Sequence, residues 1–333
     1  MKTIILCDAP QHVANVYAPP VMERLQRLTD CDGICYGKAD VWKDSAKFAD
    51  TEYIFSTWGM PAFTEEEIKS CLPSLRCVFY AAGSVQAFAR PFFSCGVRVF
   101  SAWAANAVPV AEYTVAQIIL AGKDFFCQSR LLAAEDRAAA LARHGGHLGN
   151  YKKRIGLVGC GMIGSLVADR LKAYDLEVLV FDPFLAEERA AALGVRRAEL
   201  SEIFSTCSVV SNHLANNPQT QKMLTYELFS SMPAYAAFLN TGRGAQVVEE
   251  DLVRVLQERP DLTAVLDVTD PEPSPAGHPF YSLPNCFMTP HIAGSLGGEV
   301  VRMAEYMLDE YENCAAGKPC RYGVTLDMLR TMA

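Results

Sequence analysis

At 333 residues and 36.5 kDa the chain is long enough for two domains with separate cores, since single cores rarely grow past roughly 250 residues. A composition that is 50% hydrophobic and 20% charged is that of a globular protein. A formal charge of -8 and a sequence pI near 5.4 speak against nucleic acid or an anionic membrane as the main partner.

The chain opens on "MKTIILCDAPQHV", with one Lys and a short apolar run broken by Asp8. That run is too short for a signal peptide and reads as a first buried strand. No stretch of about 18 consecutive apolar residues occurs, so no membrane span is expected. The twelve Cys are expected as reduced thiols of a cytoplasmic protein. Their closest pair, Cys31 and Cys35, has no second pair at zinc-site spacing, so no metal is expected and most should be small buried hydrophobes.

Short apolar runs then alternate with helical stretches, the pattern of parallel strands joined by crossover helices. A first series is "TIILC" (3–7), "YIFST" (53–57), "CVFYA" (77–81) and "VRVFS" (97–101). A second is "RIGLVG" (154–159), "EVLVFD" (177–182), "SVVSNHL" (208–214), "AAFLNT" (236–241), "AVLDV" (264–268) and "CFMTP" (286–290). Near-continuous apolar strands imply sheets covered on both faces, and two series imply two doubly wound α/β sheets. Between them, 111–145 has no Pro and predicts one long helix with a break near Gly122; 296–318 predicts another, ended by Gly317 and Pro319.

Within the second series, 152–184 contains Gly159-x-Gly161-x-x-Gly164, with Met162 and Ile163 inside it. A strand precedes it, an amphipathic helix follows, and Asp182 ends the next strand 18 positions after Gly164. In that setting Gly159 permits the tight turn, Gly161 lets the backbone approach a pyrophosphate, and Gly164 lets helix and strand pack closely. The helix N-terminus then receives the phosphate charge. Asp182 would accept bonds from the adenosine ribose hydroxyls and repel a 2′-phosphate, favouring NAD over NADP. The bland alternative is a surface Asp before Pro183.

From about residue 75 to 316 the chain resembles the D-isomer-specific 2-hydroxyacid dehydrogenases. The carrying segments are "NAVPVAEYTVAQIIL" (106–120), "GLVGCGMIGSLVADRLKAY" (156–174), "NTGRGAQVVEEDLVRVL" (240–256), "LDVTDPEP" (266–273) and "TPHIAGS" (289–295). The resemblance implies a Rossmann NAD-binding domain, at 104–296, inserted into a flavodoxin-like substrate domain made of 1–103 and 297–333. It implies NAD as cofactor, a 2-hydroxy or 2-keto acid as substrate bound between the domains, and a homodimer.

It also implies a catalytic trio. Arg243 matches the substrate arginine, whose planar fork holds a carboxylate bidentately; Glu272 matches the acidic partner and His291 the acid/base. Taken singly, each has a bland reading as a solvated or structural group. Further positions carried over are Asp267 at the nicotinamide carboxamide and Leu214, Thr241 and Gly242 at the cofactor. Ala82, Gly83 and Ser84 match a loop whose backbone N–H groups bind the substrate carboxylate. Val85-Gln86 and Ala215-Asn216 depart from the family's pattern in two of these loops. Gly242 and Gly244 are expected to let the backbone pass close to the nicotinamide. Trp58 and Met60 are candidates for an apolar pocket or for core packing.

The implied activity is oxidoreduction of a D-2-hydroxy acid with NAD. The alternative is a non-catalytic NAD(H)-sensing regulatory or scaffold protein on the same fold. Formate dehydrogenase shares the fold but has an amide side chain where Glu272 stands.

Overall fold

The computed structural model describes residues 2–145 and 148–330. The chain divides into two compact units, Met1–Asn106 with Ser295–Ala333, and Ala107–Gly294.

The first unit holds five strands in its leading segment: β1 (Lys2–Leu6), β2 (Cys35–Tyr36), β3 (Thr51–Ser56), β4 (Cys77–Tyr80) and β5 (Arg98–Ser101). The second holds β6 (Lys153–Val158), β7 (Leu176–Phe181), β8 (Arg196–Arg197), β9 (Val209–Asn212), β10 (Ala237–Asn240), β11 (Thr263–Leu266) and β12 (Cys286–Met288). The tail returns to the first unit as β13 (Gly323–Val324).

The first sheet runs β13-β5-β4-β3-β1-β2, parallel except for β13, which pairs antiparallel with β5. Its parallel order, 2-1-3-4-5, is that of flavodoxin-like folds. Side chains alternate between two cores because successive residues of a strand face opposite sides. Ile4, Leu6, Ile54, Val78, Tyr80 and Val99 enter one core; Ile5, Tyr53, Phe55, Cys77, Phe79 and Phe100 enter the other. On that second face Phe55, Phe79 and Phe100 stand in register and stack, centroids 5.0 and 4.9 Å apart.

The second sheet is parallel throughout, ordered β12-β11-β10-β9-β6-β7-β8. It alternates in the same way, with Leu179 facing one core and Val178 and Val180 the other. The predicted α/β class with two doubly wound sheets is what the chain adopts.

The stretch expected as a long helix with a break near Gly122 does break there and once more, giving Trp103–Ala121, Phe125–Ala133 and Arg137–Ala142. The first starts eight residues early and runs through Pro109. It ends before Gly122, where Asn150 Oδ1 leaves no room for a side chain, and Asp124 then turns left-handed at φ 53°. At 19 residues this helix is long and apolar enough to cross a membrane, yet half of it is buried, with Ala111, Val115 and Ile118 in the second unit's core. The last helix is Val301–Ala315, preceded by a 3-10 turn at Gly297–Val300. All twelve cysteines are free thiols.

Candidate active site

In the second sheet β6 lies between β7 and β9, so the strand order reverses there and a crevice opens at the C-terminal strand ends. The glycine fingerprint occupies that point. Gly159 follows β6 at φ +97°, and a methyl group on it would sit 2.7 Å from the His213 carbonyl oxygen on the neighbouring loop. A methyl on Gly164 would sit 2.2 Å from the Gly159 carbonyl, so helix and strand touch only because both are glycine. Gly161 differs: a side chain there would meet nothing within 4 Å. The open space lies at the start of helix Met162–Leu171, whose first N–H groups have no intrahelical acceptor. An anion fits that position. Ile163 packs into the core and Met162 is exposed.

Asp182 is half-buried. Its Oδ2 accepts the Cys160 N–H at 2.7 Å and its Oδ1 the Phe184 N–H at 2.8 Å, leaving one acceptor position on each oxygen for ribose hydroxyls. Across the crevice, His213 Nε2 is 3.0 Å from Ser211 Oγ, while Nδ1 is sealed from solvent without a partner. Burial pushes its pKa down to about 4, so this imidazole is neutral at physiological pH.

Arg243 lies three residues beyond the end of β10. Its Nη1 donates to the Gly242 carbonyl at 2.7 Å, and among the described residues it makes no ion pair. Its backbone is held by three amide side chains that the sequence reading missed. Asn212 and Asn240 end neighbouring strands in register, and Gln246 follows the turn, 0% exposed. Asn212 Nδ2 donates to Asn240 Oδ1 at 3.0 Å and to Gln246 Oε1 at 2.9 Å. The Arg243 N–H donates to Gln246 Oε1, and the Arg243 carbonyl accepts from Asn240 Nδ2, each at 3.0 Å. Gln246 Nε2 reaches the Leu214 carbonyl at 3.2 Å, tying the Arg243 turn to the loop after β9. Thr241 is buried, its hydroxyl 3.1 Å from that of Thr114.

The glycines beside Arg243 need correcting against the sequence expectation. A methyl on Gly244 would lie 2.0 Å from the Thr269 carbonyl carbon, and one on Gly242 would lie 3.0 Å from Asn212 Nδ2. At Gly244 the protein's own backbone demands glycine, whereas at Gly242 the contact is a close one with a side-chain amide.

The loops after β11 and β12 carry the remaining groups. His291 Nδ1 is 2.6 Å from Glu272 Oε1, with the side chains 45% and 39% exposed. With the carboxylate accepting, Nδ1 carries the proton and Nε2 keeps its lone pair facing outward. His291 adopts φ 55°, a left-handed conformation costing about 1–3 kcal/mol in a non-glycine residue unless its surroundings enforce it. Asp267, 3% exposed, does the enforcing. Its carbonyl accepts the His291 N–H at 3.0 Å; its Oδ1 accepts the Ile292 N–H at 2.8 Å and the Thr289 hydroxyl at 2.6 Å; its Oδ2 accepts the Ala293 N–H at 2.9 Å. One acceptor position on Oδ2 remains for a carboxamide. The Tyr113 hydroxyl, 3.0 Å from Thr289 Oγ1, extends this chain of bonds to helix Trp103–Ala121.

Glu249 supports the Glu272 loop from below. It is 8% exposed, its Oε1 accepts the Asp270 N–H at 2.9 Å, and burial pushes its pKa up to about 7. No motif signalled this residue; an acid opening a helix reads as an ordinary first-turn charge.

In the first unit, the loop after β4 corrects one residue. The Ala82 N–H donates to the Tyr80 carbonyl at 2.9 Å and is taken, whereas the N–H groups of Gly83 and Ser84 have no protein acceptor among the described residues. Ser101 Oγ donates to the Ala82 and Gly83 carbonyls. Of the departures, Val85 fills the core and Gln86 Nε2 donates to the Leu329 carbonyl at 2.6 Å. Trp58 and Met60 both pack partly buried against the cores.

The family model for "D-isomer specific 2-hydroxyacid dehydrogenase, NAD binding domain" matches residues 125–293, half of the chain. A D-3-phosphoglycerate dehydrogenase of Archaeoglobus fulgidus is 28% identical over 231 residues, 69% of this chain and 43% of the relative. A formate dehydrogenase of Neurospora crassa is 32% identical over 209 residues, 60% of this chain and 55% of the relative. The chain thus spans about half or less of the length of these curated relatives. Among solved structures, a phosphoglycerate oxidoreductase from Rhizobium etli superposes at a TM-score of 0.79 with 20% identity, covering 97% of each chain, a likeness of fold. With the fingerprint crevice shaped for a dinucleotide and the NAD binding domain matched across it, the chain belongs to the D-isomer-specific 2-hydroxyacid dehydrogenase family.

Proposed function

We propose that this protein interconverts a D-2-hydroxy acid and its 2-keto acid with NAD(H), using His291 as acid/base, Glu272 as its partner and Arg243 as the substrate arginine. The observation that carries this reading is the 2.6 Å contact of His291 Nδ1 with Glu272 Oε1, on loops following adjacent strands of the dinucleotide-binding sheet.

Bound NAD supplies the acceptor for hydride from C2 of the hydroxy acid. The residues here handle the proton and the charge. His291 Nε2 takes the hydroxyl proton during oxidation and returns it during reduction. Glu272 fixes the tautomer that leaves Nε2 free and stabilises the imidazolium once the proton arrives. Arg243, with no carboxylate to neutralise it among the described residues, binds the substrate carboxylate and offsets charge developing on the C2 oxygen. The N–H groups of Gly83 and Ser84 in the first unit, unpaired among the described residues, are suited to hold an anionic group. Asp182 accepts from the adenosine ribose. Glu272 separates this reading from formate dehydrogenase, because an amide there would not stabilise an imidazolium in the same way. The proposal extends to a cytoplasmic homodimer, for which the family resemblance is the support.

The test is NADH oxidation against 2-keto acids of graded size and charge. At least one is expected to turn over. Tight NADH binding with no turnover across the panel would favour an NAD(H)-sensing protein instead.

A further inference from the structure

Away from this chemistry, the first unit brings two thiols and a cation together. Cys77 opens β4 and is 0% exposed; Cys314 is half-buried, one residue before the end of helix Val301–Ala315. Their sulfurs are 3.9 Å apart although the residues are 237 positions apart in sequence. Arg98 stands directly opposite Cys77 in the β4–β5 register, and its guanidinium lies 2.6 Å from Cys314 Sγ and 3.4 Å from Cys77 Sγ. Among the described residues Arg98 makes no ion pair, so its charge is directed at sulfur. Its plane also lies over the Phe100 ring, 5.5 Å from the centroid.

We propose that Cys314 and Cys77 form a peroxide-sensitive dithiol in which Cys314 is the attacking and Cys77 the resolving thiol. The thiolate is the nucleophilic form, and Arg98 Nη2 places a donor and a positive charge 2.6 Å from Cys314 Sγ. Cys314 has both the contact with Arg98 and access to solvent. Cys77 has neither exposure nor an easily ionised thiol, since burial pushes its pKa up to about 12. It lies within reach for the second step, an intramolecular attack in which its proton leaves with the sulfenic oxygen as water.

The Cys314 thiolate attacks a peroxide oxygen; the O–O bond breaks, a water or alcohol leaves with a proton, and Cys314 becomes a sulfenic acid. The Cys77 thiol, losing its proton, then attacks that sulfur; the S–S bond forms, the S–O bond breaks and water leaves. Two thiols lose two electrons and two protons to one peroxide. Closing from 3.9 Å to the roughly 2.05 Å of a disulfide asks for less than about 2 Å of sulfur movement. Cys314 sits in the final turn of its helix, where that movement disturbs least.

The test uses the full-length protein with hydrogen peroxide, followed by non-reducing peptide mapping. A linked Cys77–Cys314 peptide pair, lighter by two hydrogens and reversed by dithiothreitol, is expected. Cys77→Ser should leave a Cys314 sulfenic acid that a dimedone probe captures, and Cys314→Ser should abolish the link. Arg98→Gln should slow the reaction of Cys314 by about tenfold or more, with folding checked by circular dichroism. The half-buried Cys95 and Cys320 serve as internal references. Reaction of Cys314 no faster than theirs, a link to Cys320 instead of Cys77, or no link at all would overturn the proposal.

Discussion

Arg243 and Gln246 divide one task. The guanidinium, bonded only to the Gly242 carbonyl among the described residues, is the group proposed to bind substrate, and the buried amide holds the backbone from which it projects. Arg243→Ala should lower turnover by about 10²–10³-fold while leaving NADH affinity, read by fluorescence titration, close to that of the parent. Loss of NADH binding together with folded structure would mark the arginine as structural. Gln246→Leu conserves volume but strands the Arg243 N–H, the Leu214 carbonyl and one Asn212 proton. We expect a loss of about 1–3 kcal/mol in chemical denaturation, with turnover reduced more than NADH affinity. An unchanged denaturation midpoint would contradict that role. Arg243 was legible in the sequence as a cation where an apolar run ends. Gln246 was not, because a polar residue inside "RGAQVV" looks solvent-facing until three loops close over it. The demand for Gly244 was misassigned for the same reason: sequence shows that space is needed, not what fills it.

At the scale of elements, the strands were legible because burial on both faces leaves near-continuous apolar runs. Phe55, Phe79 and Phe100 stack in register on one face of the first sheet, and Phe79→Ala at the centre of the stack should cost about 3–5 kcal/mol by denaturant unfolding. A cost under about 1 kcal/mol would mean that the layer rearranges freely. The two-residue strands β2, β8 and β13 were missed because so short a pair carries no periodicity. The break near Gly122 was legible from the glycine itself, whereas the second break, before Arg137, was missed because helix propensity is high throughout.

The Glu249 beneath the Glu272 loop makes stability depend on pH. Its pKa of about 7 in the folded protein exceeds the ordinary glutamate value of 4.5, so the folded state keeps a proton that the unfolded chain gives up. The contribution of this group is complete below about pH 4.5 and is lost as pH rises towards 7. Glu249→Gln keeps an acceptor for the Asp270 N–H and removes the titration. Its stability relative to the parent should rise by about 2 kcal/mol between pH 5 and 8, measured by denaturation at each pH. A constant difference across that range would show that Glu249 titrates normally.

For the whole molecule, the order of motifs carried more than any one of them. The fingerprint, the Arg243 turn, the Glu272 loop and the His291 loop follow β6, β10, β11 and β12, and a parallel sheet brings all four strand ends to one edge. That inference needed only the βα alternation. What stayed hidden was the support of the site: Asp267 holding the strained His291, and the amides behind Arg243, are contacts between segments far apart in sequence. The measurement that bears most directly on the proposed chemistry is the pH dependence of both reaction directions, in the parent and in His291→Gln, with NADH binding measured alongside. In the parent, keto-acid reduction should fall as pH rises and hydroxy-acid oxidation should fall as pH drops. The variant should bind NADH normally, run about 10²–10⁴-fold slower and lose both dependences. A His291→Gln protein with the parent's rate and pH profile would remove His291 from the mechanism.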